Sequence, residues 1–115
     1  MSRAGEHVVV WVMTENADEA QSMGRAMVEK RLAACANVLP GARSIYWWEG
    51  TVQEAGECLL VLKTRGALAE DLVAAIASRH SYDTPGVVVL PVAGAHEPYL
   101  TWIDNETELP KDQTI

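Results

Sequence analysis

An α+β sandwich, with two helices covering one face of a four-stranded antiparallel sheet, is the fold class the sequence predicts, on three observations. Apolar runs of strand length stand at residues 7–14, 37–48, 58–64 and 87–92. Two stretches with apolar residues at helical spacing lie between them. Residues 37–64 read as two long strands joined at Glu49-Gly50, with apolar side chains directed both ways. Neighbouring side chains of a strand point to opposite faces, so Trp47 and Trp48 cannot share one core, and neither can Leu59, Leu60, Val61 and Leu62. Helices can cover one face, and a second copy of the chain is the simplest cover for the other.

The first strand, His7–Thr14, is β-branched and apolar. Asn16-Ala17-Asp18-Glu19 then offers a cap and an acidic first turn for a helix reaching about residue 31. Its stripe of Ala20, Met23, Met27 and Val28 suits packing on a sheet, while Glu19, Arg25, Glu29 and Lys30 lie towards water. The second strand starts near Asn37 at a sheet edge, because Pro40 lacks a ladder donor and Gly41 tolerates a bulge. Glu49-Gly50-Thr51 turns the chain, residues 49–56 connect the strands, and residues 58–64 return as the third. This hairpin is longer than a domain of this size needs for its own core, so its tip is expected to reach a neighbour.

Gly66 breaks the third strand, and Leu68, Leu72, Ala75, Ile76 and Arg79 keep helical spacing to about His80. A turn over 81–86 leads to the fourth strand, closed by Pro91, and residues 97–105 form a short helix carrying Tyr99, Leu100 and Trp102. The reading is one domain over 1–115, with its core at about 7–106 and a flexible tail over 107–115, frayed from Leu109. Strand, helix, strand, strand, helix, strand is the split order of ferredoxin-like folds, which leaves one sheet face bare. Tyr46, Trp47, Trp48 and Trp102 are the aromatic candidates for covering it by self-association. These features do not separate a dimer from a trimer.

The chain's 115 residues, 49% hydrophobic, suit a single domain. Its net charge of −7 repels nucleic acid and anionic membrane and makes cations better-matched partners, although acidity also serves dispersion alone. Cys35 and Cys58 are too few and too isolated for a disulfide framework or a zinc site, so reduced thiols are expected. No leader pattern or membrane-spanning run is read, and a cytoplasmic location is expected by elimination. The chain lacks H-E-x-x-H, G-x-G-x-x-G, G-x-x-x-x-G-K and G-x-S-x-G. His80 with Asp83 is a generic acid–base pair without a nucleophile or oxyanion donor, so a non-enzyme with no obligatory cofactor is expected.

Leu32-Ala33-Ala34-Cys35-Ala36-Asn37, Tyr46-Trp47-Trp48-Glu49-Gly50, Leu62-Lys63-Thr64, His80-Ser81-Tyr82-Asp83-Thr84-Pro85, Val89-Leu90-Pro91-Val92 and Tyr99-Leu100-Thr101-Trp102 follow one another in order. The series covers about residues 7–106 and resembles the CutA divalent-cation-tolerance family. That resemblance implies a ferredoxin-like protomer in a homotrimer, cytoplasmic in bacteria, associated with tolerance to divalent metals, notably copper, and without an established catalytic activity. It also implies copper ligands at a cysteine ending the first strand, the histidine of a His-x-Tyr motif and an acid after its proline. Only His80 matches, because Met13 stands at the cysteine position and Gly86 at the acid. The Met13 thioether with the His80 imidazole suits Cu(I), and Asp83 offers oxygen to a harder ion. The structural alternative is a His80 ring bonded to the unpaired carbonyls at its helix C-terminus.

Lys63 ends an otherwise apolar strand and requires a partner or solvent. One reading pairs it across subunits with Glu49 or Glu57. The other is an intersubunit cleft of Lys63, Tyr82, Trp48 and His80, beside Glu57, that takes a small anionic ligand. The latter corresponds to a signalling module resembling the PII proteins, on fold analogy. His7 and His96 are expected at the solvated surface, Cys35 as a buried thiol and Cys58 as a packing residue.

Overall fold

The computed structural model describes residues 6–108. Its elements are β1 (His7–Thr14), α1 (Ala17–Glu29), β2 (Cys35–Trp48), β3 (Thr51–Arg65), a 3-10 turn at Gly66–Leu68, α2 (Ala69–Arg79), β4 (Val87–Pro91) and α3 (Glu97–Glu106). The strands form one antiparallel sheet in the order β2-β3-β1-β4. Both prolines of the sheet, Pro40 and Pro91, therefore lie on edge strands, where a missing N–H breaks no inner ladder.

Alternation along the two central strands builds the core. Val8, Val10 and Val12 of β1 and Cys58, Leu60 and Leu62 of β3 point towards Met23 and Met27 of α1 and Leu72 and Ile76 of α2. Asn16 caps α1 by accepting the Glu19 N–H at 2.8 Å, and the left-handed Arg31 ends the helical turn with φ 63°. Between them α1 lies close on the sheet: a Cβ at Gly24 would stand 2.9 Å from Ala36 Cβ and 3.1 Å from Leu60 Cδ1. The two threonines of the buried rows are satisfied within the backbone, Thr14 donating to Cys58 O at 2.8 Å and Thr64 to Leu32 O at 2.7 Å.

The hairpin corrects one boundary. β3 begins at Thr51, so the connection is the two residues Glu49 and Gly50 rather than 49–56. Their φ values of 50° and 80° are both left-handed, as a type I′ hairpin turn requires. Beyond the shift between Leu39 and Ala42, where Gly41 has φ 90°, pairing resumes from Ala42↔Glu57 to Trp48↔Thr51. Thr51, Gln53, Glu54 and Glu57, with only Val52 and Ala55 apolar between them, hid this strand, since ladder bonds are made by the backbone and do not require apolar side chains. The resulting arm leaves Ile45, Trp47 and Val52 exposed by 67%, 74% and 56%.

Among the described residues, the sheet face opposite α1 and α2 is covered only at one end. There α3 packs Leu100 and Ile103 against Ala34. His7 Nε2 meets Asp104 Oδ1 at 2.8 Å, and Arg65 bonds the Asp104 carbonyl and Thr107. His7 is thus buried, not the expected surface residue, because α3 closes over the start of β1. The tail also starts later than expected: Thr107 is buried and donates to Ile103 O at 2.8 Å, and Glu108 N donates to Arg31 O at 3.0 Å. The expected frayed segment, 109–115, lies outside the described residues. Across the rest of the face, Trp11, Leu39, Val88 and Leu90 remain exposed. Among the described residues no helix is long and apolar enough to cross a membrane.

Candidate functional site

His80 terminates α2 in an extended conformation, and its ring is folded inward with no side-chain exposure. Nδ1 accepts the Tyr82 N–H at 3.0 Å, which leaves the ring proton on Nε2 to be donated to Met13 O at 2.8 Å. The ring therefore bonds the carbonyl of a strand, not the free carbonyls of its own helix that the structural alternative named. Met13 N in turn donates to Gly86 O at 3.0 Å, and a Cβ on Gly86 would lie 3.8 Å from Met13 Cγ. The three positions at which the resemblance implied metal ligands, Met13, His80 and Gly86, do meet at this end of the sheet. Their donor chemistry differs: both His80 nitrogens are engaged, Gly86 has no side chain, and Asp83 stands exposed on the turn. Among the described residues, no group of three His, Cys, Asp or Glu side chains converges as a metal site.

Glu19 ties this end together. Its Oε1 accepts Glu15 N at 3.0 Å, its Oε2 accepts Ser81 N at 2.8 Å, and Oε2 lies 3.9 Å from His80 Nδ1. Burial works to raise its carboxyl, but the bonds from Glu15 and Ser81 outweigh it and hold the carboxyl below its usual value. A depressed carboxylate stabilises the fold above its ordinary pKa and loses that contribution as pH falls through the depressed value. Glu19→Gln is accordingly expected to lower stability at pH 7 by about 1–2 kcal/mol, with the difference shrinking in acid. Denaturant unfolding of both proteins at pH 7 and pH 3 checks this, and an equal gap at the two pH values would remove the charge from the account.

Tyr82 lies against His80, with ring centroids 4.8 Å apart, and donates its hydroxyl to Glu57 Oε2 at 2.8 Å. Burial first, then the bond to Glu57 and the charges of Glu57, Glu15 and Glu19, push the phenol far above its ordinary range, so it stays a donor. Next to Glu57, at the bulge of β2, lies a shallow cavity of about 390 Å³ bordered by Glu15, Asn16, Pro40, Gly41 and Arg43.

Lys63 belongs to a different place. It lies further along β3, about 20 Å from Glu57 at about 3.3 Å per residue. Its Nζ donates to Asn37 Oδ1 at 3.1 Å and sits 5.8 Å from the centre of the Tyr99 ring. Tyr99 Oη contacts Cys35 Sγ at 3.5 Å, and burial, followed by the bond to Cys35 and its charge, pushes the phenol up to about 12. Cys35 is thus half-buried rather than buried, whereas Cys58 packs in the core as expected. The cleft expected from Lys63, Tyr82, Trp48 and His80 is not assembled within one protomer. Tyr82, His80 and Glu57 share one end, Lys63 the other, and Trp48 stands on the arm, 54% exposed. The Lys63–Glu57 pair is likewise absent within the protomer, since the two groups bond Asn37 and Tyr82 instead. Tyr46 and Trp102, the other interface candidates, are also exposed, and His96 is exposed at the start of α3 as expected.

Residues that sequence reasoning missed are Glu19, Asn37, Cys35 and Tyr99. Glu19 carried a signal, because Asn16-x-x-Glu19 has the spacing of a capping box. The others were joined only by strand pairing and by the docking of α3.

The profile of the family described as CutA1 divalent ion tolerance protein matches residues 8–106. The protein named CutA, chloroplastic, of Arabidopsis thaliana is 40% identical over 106 residues, which cover 92% of this chain and 58% of that protein. The divalent-cation tolerance protein CutA of Thermus thermophilus is 38% identical over 99 residues, covering 86% of this chain and 96% of that one. The crystal structure of CutA1 from Oryza sativa is similar with a TM-score of 0.87 at 37% identity, over 93% of this chain and 96% of that chain. The chain spans a little over half the length of the curated plant relatives, 58% and 56%.

Proposed function

The chain belongs to the CutA1 divalent ion tolerance protein family, and from that premise we propose that it serves tolerance to divalent metal ions as a cytoplasmic, non-enzymatic homotrimer. One observation carries the assembly: the open sheet face and the arm leave Trp11, Leu39, Val88, Leu90, Trp47 and Val52 between 40% and 74% exposed in a single protomer. Exposed apolar side chains in this number mark surface for an interface. By strand alternation Trp47 and Val52 lie on one face of the arm and Tyr46 and Trp48 on the other, so the proposed assembly engages both faces of the arm, and Trp102 as well. The strand order β2-β3-β1-β4 supports a ferredoxin-like description of the protomer.

Copper binding at His80 is the second half of the proposal, and it is weak. To coordinate, the ring has to release either the Met13 carbonyl or the Tyr82 amide, so each bond formed to metal replaces a hydrogen bond already made. The Met13 thioether adds a soft ligand suited to Cu(I), and Asp83 an oxygen for a harder ion.

Native mass spectrometry with a Cu(I) competition titration tests both halves. The expected result is a trimer with weak binding that His80→Ala abolishes. Met13→Cys combined with Gly86→Glu is expected to bind at least ten times more tightly, because Gly86 adjoins Met13 and has room for a side chain. Equal copper affinity in wild type and His80→Ala would assign metal tolerance to an indirect role.

A further inference from the structure

We propose that Lys63, Asn37 and Tyr99 form an anion-binding site on the open sheet face, filled by the carboxylate or phosphate group of a small molecule. The site stands on this protomer's own groups, and it rests on the proposed self-association only for the surface that covers it.

Lys63 occupies a central strand, with Val9 and Cys35 as its cross-strand neighbours. Leu59 and Val61 precede it on the same face. Among the described residues no carboxylate pairs with its ammonium, whose protein contacts are the Asn37 oxygen and the Tyr99 ring. Covering this face with a second copy would take a lysine charge out of water with only neutral partners, a cost that an anion removes.

Acids elsewhere on the protomer are committed to other partners. Glu57 holds the Tyr82 hydroxyl, Glu54 pairs with Arg43, Asp104 with His7 and Arg65, and Glu106 with Arg31. Among the described residues of its own protomer, none of these acids supplies a counter-charge to Lys63. The donor set fits an oxyanion. Lys63 has N–H bonds to spare beyond the one given to Asn37, and the Asn37 amide, whose oxygen is turned to Lys63, keeps its NH2 free to donate. The Tyr99 phenol, which stays protonated at neutral pH, adds a hydroxyl whose other contact is the weakly bonding Cys35 sulfur. A charged amine with neutral donors around it binds carboxylate or phosphate without requiring a particular molecular skeleton.

The test titrates inorganic phosphate and, separately, acetate into wild type, Lys63→Met, Lys63→Arg and Asn37→Ala by calorimetry, with assembly size measured on the same samples. The two probes distinguish phosphate from carboxylate recognition. Expected is binding by the wild type, weakened at least tenfold in Lys63→Met at unchanged size and kept within a few fold in Lys63→Arg. Equal affinity in wild type and Lys63→Met overturns the proposal. So does the absence of binding of either probe to assembled wild type, the result if Glu49 of a neighbouring copy already neutralises Lys63. Should Lys63→Met fail to assemble, Asn37→Ala decides: weaker binding supports the site and unchanged affinity overturns it. A monomeric wild type overturns the assembly reading alone, and its Lys63-dependent binding or lack of binding then keeps or removes the site.

Discussion

Trp11→Lys combined with Val88→Glu is expected to convert the proposed assembly into folded monomers. The two residues are cross-strand partners on the open face of β1 and β4 and are 40% and 51% exposed in the protomer, so neither belongs to the core. Opposite charges placed directly across an antiparallel pair attract, and the sheet itself is left intact. Burying the same pair against a second copy instead costs several kcal/mol per desolvated ion and forfeits apolar burial of about 25 cal/mol per Å². Light scattering should show the mass of the proposed trimer fall to that of a monomer while the far-ultraviolet circular dichroism is retained. An unchanged trimer would place the interface elsewhere. Because folding and assembly are linked, the variant's melting temperature should also lose its dependence on protein concentration.

Removing the ring of His80 is expected to be the most costly substitution at the candidate site. His80→Ala leaves the partly buried Met13 O and Tyr82 N without the ring as partner and opens a cavity where the fully buried ring stood. Each orphaned group costs about 1–3 kcal/mol, and the cavity adds to that. A loss of about 3–5 kcal/mol is therefore expected, a large share of the roughly 5–15 kcal/mol that holds a domain of this size together. Chemical denaturation measures it. His80→Gln, whose amide can still donate towards Met13 O, should recover part of the loss. A destabilisation below about 1 kcal/mol would mean that the ring's two hydrogen bonds do little for the fold, leaving ligand binding as the reason for a histidine there. The stability loss also bears on the copper titration: a partly unfolded His80→Ala would lose binding for the wrong reason, so His80→Gln is the control.

Legibility in the sequence followed the kind of signal each element carried. β1, α1 and α2 were visible because one row of apolar residues, such as Val8-Val10-Val12 or Met23-Met27, repeats with the period of its element. The cap at Asn16 was visible because the bond it makes is local, reaching only to Glu19. The first half of β3 was not, because Thr51, Gln53 and Glu54 are polar and the strand is held by the backbone of β2 opposite. His7 was misplaced for a related reason: its burial depends on α3, which comes back to cover it from the far end of the chain.

The chain's own pattern thus determined the order of strands and helices, the arm joined at Glu49-Gly50, the family, and the presence of a sheet face that one protomer cannot cover. Tertiary structure alone decided where polar groups meet. It brought Met13, His80 and Gly86 together while occupying both ring nitrogens, and within the protomer it set Lys63 beside Asn37 and Tyr99. The physical reason is range. Periodicity and capping are set by neighbours a few residues apart, whereas a hydrogen bond between β1 and the end of α2 depends on the register and packing of the whole sheet.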